Sequence, residues 1–375
     1  MFYKNARIFC NDFQFHTGAF EVKDGKFASV LPKFVPENAV DLEGATVLPG
    51  LIDVHIHGNS GADLVDGDYA GLEKMAAYLA SVGVTSFAPA SLTLPYEVLE
   101  KAFANAKQLH DAAPVGHSRL MGIHMEGPYF SEKKKGAQNG AYLKNPDFEG
   151  FQKLYDGCDG LIRIVDVAPE LPGAREFIEK AKNLCTVSIA HTDAGYEDAK
   201  AACQLGVTHL THLFNAMPPV HHREPGVIPA AAECPTVRAE LICDGLHVHP
   251  ASVRLAFSMF GPDRMILVSD ALRCCGMPDG EYEIGGQTAF LKNGIARLAD
   301  GTIAGAATNL FECMKNAILF GIPEETAVRA CTYNPACSLG VQDKVGVIAP
   351  GLMADFVVCR SDYTNPRVFL GGKEV

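Results

Sequence analysis

Residues 47–57, VLPGLIDVHIH, are the stretch of sequence that decides the fold. The segment is an apolar run of strand length that ends in two histidines, His55 and His57. Seven more short apolar runs follow, each bounded by turn residues or by a segment with helical spacing. The eight runs are VLPGLIDVHIH, VTSFAPAS, RLMGIHMEG, IRIVDVAPE, CTVSIAHTD, VTHLTHLFN, RAELICDGLHV and RMILVSDA. Each is predicted to form a β-strand.

Segments with helical periodicity separate many of these runs. Apolar residues recur every three to four positions, among good helix formers, in GLEKMAAYLASVG, EVLEKAFANAKQLHDA, AREFIEKAKN and YEDAKAACQLG. Strands that alternate with helices form a parallel sheet, and eight such units close into a barrel. The sequence therefore predicts an α/β fold with a (β/α)8 TIM-like barrel at residues 49–340.

Two further regions carry strand signals without helical period. After the eighth run, turn residues at Gly285-Gly286 and Asn293-Gly294 predict a β-hairpin insertion near 281–303. Both chain termini contain short apolar runs punctuated by Gly and Pro. Residues 1–48 and 341–375 are therefore predicted to pair into one small β-sandwich domain.

Composition limits the classes of partner. The 375 residues include 32 Lys and Arg against 44 Asp and Glu, a net charge of −12, and no basic stripe relieves it. We expect neither a nucleic-acid nor a membrane partner. No signal-peptide pattern or membrane-spanning run is visible, and the 12 cysteines form no dense disulfide framework, so we expect a cytoplasmic protein. Cys274-Cys275 is interpreted as two small loop residues, with a redox role as the alternative.

Chemically capable side chains cluster at strand ends. Five of the eight runs end in, or just before, residues that can bind a metal or titrate. These residues are His55, His57, Glu126, His191, His212 and Asp270. In a βα barrel the carboxyl ends of all strands face one mouth, where the active sites of this fold lie. The sequence thus predicts that six side chains far apart in the chain converge on one site.

The residue types indicate metal-assisted hydrolysis. Alternate residues of a strand point the same way, so His55 and His57 can reach one cation, although an isolated H-x-H is more often surface or core. Glu126 is expected to be buried, where a carboxylate needs a cation or several donors. A bound metal lowers the pKa of its water from about 15.7 to about 7 and so supplies hydroxide near neutral pH. Asp270 would act as general base and then as general acid in cleaving an amide.

Several motifs resemble one known family. They are PGLIDVHIHG, HMEGPY, KKGAQN, AHTDA, THLFNAM, REPG, DGLHV, VSDA, MPDGEYEIGGQ and GVIAPGLMADFVV, and they extend over essentially the whole chain. The sequence resembles the amidohydrolase superfamily and, within it, the N-acetylglucosamine-6-phosphate deacetylase family. That resemblance implies a TIM-like barrel with a small β-domain built from both termini. It also implies removal of acetate from N-acetylglucosamine 6-phosphate in amino-sugar catabolism.

The resemblance implies roles for particular residues. Glu126, His191 and His212 match metal ligands, and Asp270 matches the catalytic acid and base. Residues that match substrate contacts are Ala137, Gln138, Asn215, Ala216, Arg223, His247, Ile303, Ala304 and Gly305. Some relatives lack the second histidine of the H-x-H pair; this chain keeps both, so one or two divalent ions (Zn, Fe or Mn) are expected. Some relatives have histidine where this chain has Gln138. The resemblance also implies a homodimer.

Two other functions compete with this interpretation. Another metal-dependent N-acyl hydrolase, such as an N-acyl-amino-acid deacylase, would use the same chemistry with a different pocket. A non-catalytic relative would have lost ligands, whereas all of them are present here. The run Lys133-Lys134-Lys135 either closes over an anionic ligand or is a solvated face.

Overall fold

A computed structural model describes every residue from Met1 to Val375. The strands are β1 Phe2–Phe9, β2 Phe15–Lys23, β3 Lys26–Val30, β4 Val40–Asp41, β5 Thr46–Pro49, β6 Leu51–Ile56, β7 Gly58–Asn59, β8 Ala62–Asp63, β9 Val84–Pro89, β10 Arg119–Leu120, β11 Ile123–Met125, β12 Ile162–Val167, β13 Thr186–Ile189, β14 His209–Leu210, β15 Arg238–Ile242, β16 Met265–Val268, β17 Gly280–Ile284, β18 Gln287–Lys292, β19 Ile295–Leu298, β20 Phe356–Cys359, β21 Arg367–Leu370 and β22 Lys373–Glu374. The helices are α1 Tyr69–Ser81, α2 Tyr96–Ala112, α3 Phe148–Gly157, α4 Ala174–Ala181, α5 Tyr196–Leu205, α6 Val227–Ala232, α7 Pro250–Phe260, α8 Leu310–Leu319, α9 Glu324–Cys331 and α10 Tyr333–Leu339.

The parallel strands of the centre follow one another in chain order. One sheet has the order β10-β9-β6 and the other runs β11-β12-β13-β14-β15-β16. A parallel bridge between Ala90 and His124 connects the two sheets on one side. On the other side, the backbone N–H of Asp270 donates to the carbonyl of His55 at 2.9 Å. Every one of the eight predicted runs supplies a strand of this arrangement, and the predicted fold class is confirmed.

The helices cover the outside of the parallel strands because each has one apolar face. In α1, the side chains of Leu72, Met75 and Leu79 are buried, and Asp68 caps the helix by accepting from the N–H of Gly71. A single cluster of 72 buried residues fills the space between strands and helices. Burial of this size makes the strand ends a rigid platform for polar side chains.

The chain termini share one sheet. Its order is β22-β21-β20-β5-β1-β2-β3, with β4 also paired to β1. Its separate core of 14 residues includes Tyr3, Phe20, Phe356 and Phe369, and the rings of the last two stack at 4.5 Å. β5 (Thr46–Pro49) belongs to this sheet, and β6 starts the barrel. The chain therefore passes from the terminal sheet into the barrel next to residue 48. The division of the chain into two domains at that residue stays a prediction.

The segment after β16 differs in detail from the predicted hairpin. Strands β17, β18 and β19 form a three-stranded antiparallel meander rather than two strands. The turns fall at Gly285-Gly286 and at Asn293-Gly294, where the backbone of all four residues has positive φ. A further turn at Asp300-Gly301 follows β19, and the chain then returns to the barrel.

Candidate active site

Six side chains meet at the carboxyl ends of the barrel strands. His55 lies on β6 and His57 directly follows it, Glu126 follows β11, and Asp270 lies just beyond β16. His191 and His212 follow β13 and β14 by two residues each. All six are buried, with Asp270 the most exposed at 7%. The structure therefore brings together all six residues that the sequence singled out, and we call them the His/Glu/Asp cluster.

Glu126 lies at the centre of the cluster. Its Oε1 lies 3.0 Å from His191 Nε2 and 3.2 Å from His212 Nε2. Its Oε2 lies 3.2 Å from His57 Nε2 and 3.8 Å from His55 Nε2. One carboxylate thus faces four imidazoles, two on each oxygen.

Two of the imidazoles, those of His57 and His191, are held by main-chain carbonyls through their other ring nitrogens. Nδ1 of His191 lies 2.9 Å from the carbonyl of Lys134, and Nδ1 of His57 lies 3.3 Å from the carbonyl of Ala90. A carbonyl only accepts hydrogen bonds, so both Nδ1 atoms must donate. In a neutral imidazole the Nε2 atom then carries the lone pair, which in both residues is directed at the cluster. Such an anchored ring is the arrangement that metal-ligating histidines use.

The electrostatics of the cluster require positive charge. Burial alone would raise the pKa of Glu126, but His57, His191 and His212 hold that pKa well below its usual range. Burial likewise would raise the pKa of Asp270, which His55 and His57 lower. Burial opposes protonation of His57, yet Glu126 and Asp270 raise its pKa to about 10. Two ionised carboxylates in a buried site therefore attract protons or, in their place, a cation.

The donor set fits a divalent metal. The ligand atoms of His55, His57 and Glu126 lie within 4.8 Å of one another, as do those of Glu126, His191 and His212. Nε2 of His55 is buried without any hydrogen-bond partner, which is costly unless a ligand contacts it. Nε2 of His191 and Nε2 of His212 face each other at 3.0 Å. Imidazole and carboxylate donors suit Zn, Fe and Mn.

The backbone is strained where it presents three of these side chains. The φ angles of His191, His212 and Asp270 are 44°, 32° and 47°, in the left-handed region that non-glycine residues seldom adopt. Such strain is typical of functional sites, where surrounding structure holds the conformation. Here the strands and their helices supply that support.

The cluster opens into a cavity of about 350 Å³. This volume is within the range of small-molecule sites. Eight of the nine residues expected to contact substrate line it, namely Ala137, Gln138, Asn215, Ala216, His247, Ile303, Ala304 and Gly305. His247 is oriented by Asp244, whose Oδ2 lies 2.7 Å from Nδ1 of the ring.

Two glutamines shape the wall of the cavity. Gln138 donates through Nε2 to Glu126 Oε2 at 2.9 Å and accepts from the N–H of Thr93 at 2.8 Å. Gln287, on β18 of the meander, donates to the carbonyl of Ala137 at 2.7 Å. Sequence reasoning missed Gln287 as a lining residue, although it is the last residue of the MPDGEYEIGGQ motif.

Arg223 is the expected substrate contact that this chain does not bring to the cavity. It is exposed, its Nη1 lies 2.9 Å from Nε2 of His222, and it lines a separate surface groove with Asp193 and Tyr196. Among the three consecutive lysines, Lys133 pairs with Asp193 at 2.9 Å. The cavity lining itself contains no Lys or Arg.

Comparisons with known proteins point to one family. The model of the amidohydrolase family matches residues 46–375. An N-acetylglucosamine-6-phosphate deacetylase of Bacillus subtilis (strain 168) is 37% identical over 91% of this chain and 88% of its own length. An N-acetylgalactosamine-6-phosphate deacetylase of Escherichia coli O157:H7 is 30% identical, over 94% and 93%. A mutant N-acetyl-D-glucosamine-6-phosphate deacetylase from Mycobacterium smegmatis, solved in complex with N-acetyl-D-glucosamine-6-phosphate, superposes with a TM-score of 0.94 at 31% identity, covering 100% of this chain and 98% of that one.

The barrel, the buried cluster and the family match together define the class: the chain belongs to the amidohydrolase family. The three relatives reported above are named as deacetylases of 6-phosphorylated N-acetylhexosamines, and the resemblance drawn from the sequence is confirmed. None of the helices is both long and apolar enough to cross a membrane.

Proposed function

We propose that this chain hydrolyses the acetamide of N-acetyl-D-glucosamine 6-phosphate to D-glucosamine 6-phosphate and acetate, as a step in amino-sugar catabolism. The observation that carries the proposal is the His/Glu/Asp cluster at the end of a cavity lined by eight residues that match the substrate contacts of this family. The similarity to enzymes named for this reaction supports the same substrate.

We propose that the cluster holds one or two divalent ions. His55, His57 and Glu126 would hold one ion, and Glu126, His191 and His212 the other, so that the Glu126 carboxylate is shared. When bound, such an ion lowers the pKa of water and polarises a carbonyl oxygen. Zn, Fe and Mn are the candidates, since imidazole and carboxylate ligands accept all three.

Asp270 is the proposed proton carrier of the reaction. Its Oδ1 lies 3.2 Å from His57 Nε2, and the side chain is 10% exposed on the side that lines the cavity. Asp270 would take a proton from the attacking water as the new C–O bond forms. It would then give that proton to the amide nitrogen as the C–N bond breaks, so that the products are acetate and the free amine.

The rest of the cavity would hold the sugar phosphate. Asn215 and His247 offer polar groups, and the Asp244 carboxylate, 2.7 Å from Nδ1 of His247, holds that ring in place beside the cavity. Arg223, which matches a substrate contact of the family, is proposed to bind the phosphate, because its planar guanidinium suits phosphate oxygens. In this structure the guanidinium of Arg223 contacts His222. To bind the phosphate, it would have to move from there to the cavity.

Acetate release tests the function. The substrates are N-acetylglucosamine 6-phosphate, its galactosamine epimer, unphosphorylated N-acetylglucosamine and an N-acetyl amino acid, with the protein's metals counted by elemental analysis. Strong preference for a phosphorylated sugar, lost on chelation and regained with added metal, is the expected result. Metal-containing protein that releases acetate only from the N-acetyl amino acid would instead favour the N-acyl-amino-acid deacylase.

The Arg223→Ala variant separates the two functions further. For a sugar-phosphate deacetylase it weakens the affinity only for phosphorylated substrates. For a deacylase of another substrate class it has no such selective effect, because no phosphate has to be bound.

We further propose a homodimer in the cytoplasm. All 12 cysteines are free thiols, as is usual in a reducing compartment. Light scattering after size exclusion measures the number of chains per particle directly.

A further inference from the structure

Glu240 lies directly behind the His/Glu/Asp cluster, on β15, and is fully buried. Its Oε2 lies 2.9 Å from His55 Nδ1 and 3.3 Å from the backbone N–H of His212. Its Oε1 lies 2.9 Å from His209 Nε2. One side chain therefore connects two expected metal ligands with the layer of side chains below them.

A carboxylate at this depth is expensive unless its lone pairs are satisfied. No Lys or Arg lies beside Glu240, and its partners are ring nitrogens of His55 and His209 and the backbone N–H of His212. A well-packed apolar residue would serve stability as well as such a group. Packing alone therefore gives no reason for a carboxylate here.

The group formed by His55, His124 and Glu240 is not itself a metal site. Nδ1 of His124 lies 3.0 Å from the carbonyl of Val54 and must donate to it, so this nitrogen has no lone pair to offer. Nε2 of His124 is bonded to Asp166 Oδ1 at 3.0 Å. Glu240 therefore acts through the rings that it contacts.

The anchors of the cluster histidines differ in kind. His57 and His191 are anchored by main-chain carbonyls, as described above, which no substitution removes. His212 has no such anchor, since its Nδ1 is buried without a hydrogen-bond partner. His55 is anchored by a carboxylate, and its opposite nitrogen, Nε2, is buried without a partner. A carboxylate behind a histidine fixes the tautomer and raises the basicity of the nitrogen that binds metal.

We propose that Glu240 is a positioning residue for the ion held by His55, His57 and Glu126. It keeps the proton of His55 on Nδ1 and directs Nε2 into the cluster. Its effect on the second group, through the backbone N–H of His212, is weaker because that bond does not set which ring nitrogen carries the lone pair. The proposal rests on the proposed metal-dependent function.

Glu240→Gln tests the proposal. The amide has the same shape and can accept from His55 through its oxygen. It lacks the charge, and it presents an NH2 donor instead of an acceptor to His209. Substitutions behind metal ligands lower metal affinity about 10- to 100-fold. Protein is first freed of metal with a chelator and then titrated with Co²⁺, which is followed by visible absorption and elemental analysis. The wild type should bind two ions. In the variant one ion should bind with wild-type affinity and the other about 10- to 100-fold more weakly.

Ser338→Ala is the matched control. Ser338 is buried below the cluster, and its Oγ lies 3.2 Å from His209 Nδ1. Ser338→Ala therefore disturbs the hydrogen bonds of His209, which contacts Glu240, but leaves the bond between Glu240 and His55 in place. Both ions should bind the control as they bind the wild type. Thermal unfolding of the metal-free proteins shows whether a variant has lost stability in general. Such a loss would not weaken the binding of one ion selectively.

Three results would overturn the proposal. Two ions with unchanged affinity in both Glu240→Gln and Glu240→Ala would show that the carboxylate does not matter. Equal weakening of both ions would indicate a general structural role. A wild type with a single ion, bound with the same affinity by Glu240→Gln, would show that Glu240 does not position that ion, although acetate release could still support the proposed function. A wild type that is active and binds no metal would refute the metal-dependent function itself.

Discussion

Replacing Asp270 by Asn should abolish most turnover without emptying the site. Asn has nearly the same size and shape, so the end of β16 should stay in place. The amide cannot take a proton from water at neutral pH. The metal-ligand groups His55–His57–Glu126 and Glu126–His191–His212 do not include Asp270, so the metal content should not change.

The size of the effect follows from the role and position of the side chain. Positioned acid–base groups contribute about 10²- to 10⁴-fold to rate. Because Asp270 would serve in both proton transfers, we expect kcat of Asp270→Asn to fall by an amount in the upper part of that range, about 10³- to 10⁴-fold. At about 1.36 kcal/mol per tenfold, this is about 4–5.4 kcal/mol of transition-state stabilisation. The side chain is only 10% exposed, so it offers little surface to the sugar. KM should therefore change by no more than roughly threefold.

The assay is initial-rate acetate release over a range of N-acetylglucosamine 6-phosphate concentrations, on protein whose metals have been counted. Asp343→Asn is the control for the charge change, since Asp343 is exposed and lies outside the cavity. It should have wild-type kcat and KM. An Asp270→Asn protein with full metal content and kcat within a factor of ten of wild type would refute the assignment of Asp270.

Two further predictions use parts of the fold around and far from the site. Gly305 has φ +44°, and a Cβ there would lie 2.8 Å from the carbonyl oxygen of Asp270 and 2.8 Å from Leu272 Cγ. Gly305→Ala should therefore lower kcat and should also lower the free energy of unfolding by about 1–3 kcal/mol. Gly286→Ala is the control, because it has φ +82° and open space; equal effects of the two on kcat would contradict the prediction. Arg7 binds Glu324 with two bonds of 2.6 Å and, against the effect of burial, keeps the pKa of Glu324 below its usual 4.5. This stabilisation is present above pH 4.5 and is lost as the pH falls through the lowered pKa. In urea unfolding of metal-free protein, Arg7→Gln should therefore be less stable than wild type by about 1.5 kcal/mol at pH 7 and by clearly less at pH 3. An equal difference at the two pH values would show that the ion pair does not make stability depend on pH.

The sequence was a good guide wherever a local pattern coincided with the fold. The run 47–57 predicted both a strand and the two histidines at its end, because residues at alternate positions share a face and strand ends meet at one mouth. The meander was only partly predicted, since the number of strands that pair depends on contacts beyond the turn residues. Its turns at Gly285-Gly286 and Asn293-Gly294 were nevertheless located correctly.

Contacts between distant strands were beyond local patterns. His209 is buried, and nothing in its segment indicates the hydrogen bond to Glu240, 31 positions away. Gln287 reaches the carbonyl of Ala137 across 150 positions. Arg223 was expected at the substrate on resemblance alone, and its part in phosphate binding stays a prediction.

The positive φ angles of His191, His212 and Asp270 have a consequence for engineering. The left-handed conformation costs an ordinary residue roughly 1–2 kcal/mol relative to glycine. A thermostability screen that ignored turnover would therefore favour glycine at these three positions and would enrich inert proteins. Libraries built on this scaffold should hold the three codons fixed. Conversely, a homologous sequence with glycine at these positions would be recognisable as a member that has given up the chemistry for a more relaxed backbone.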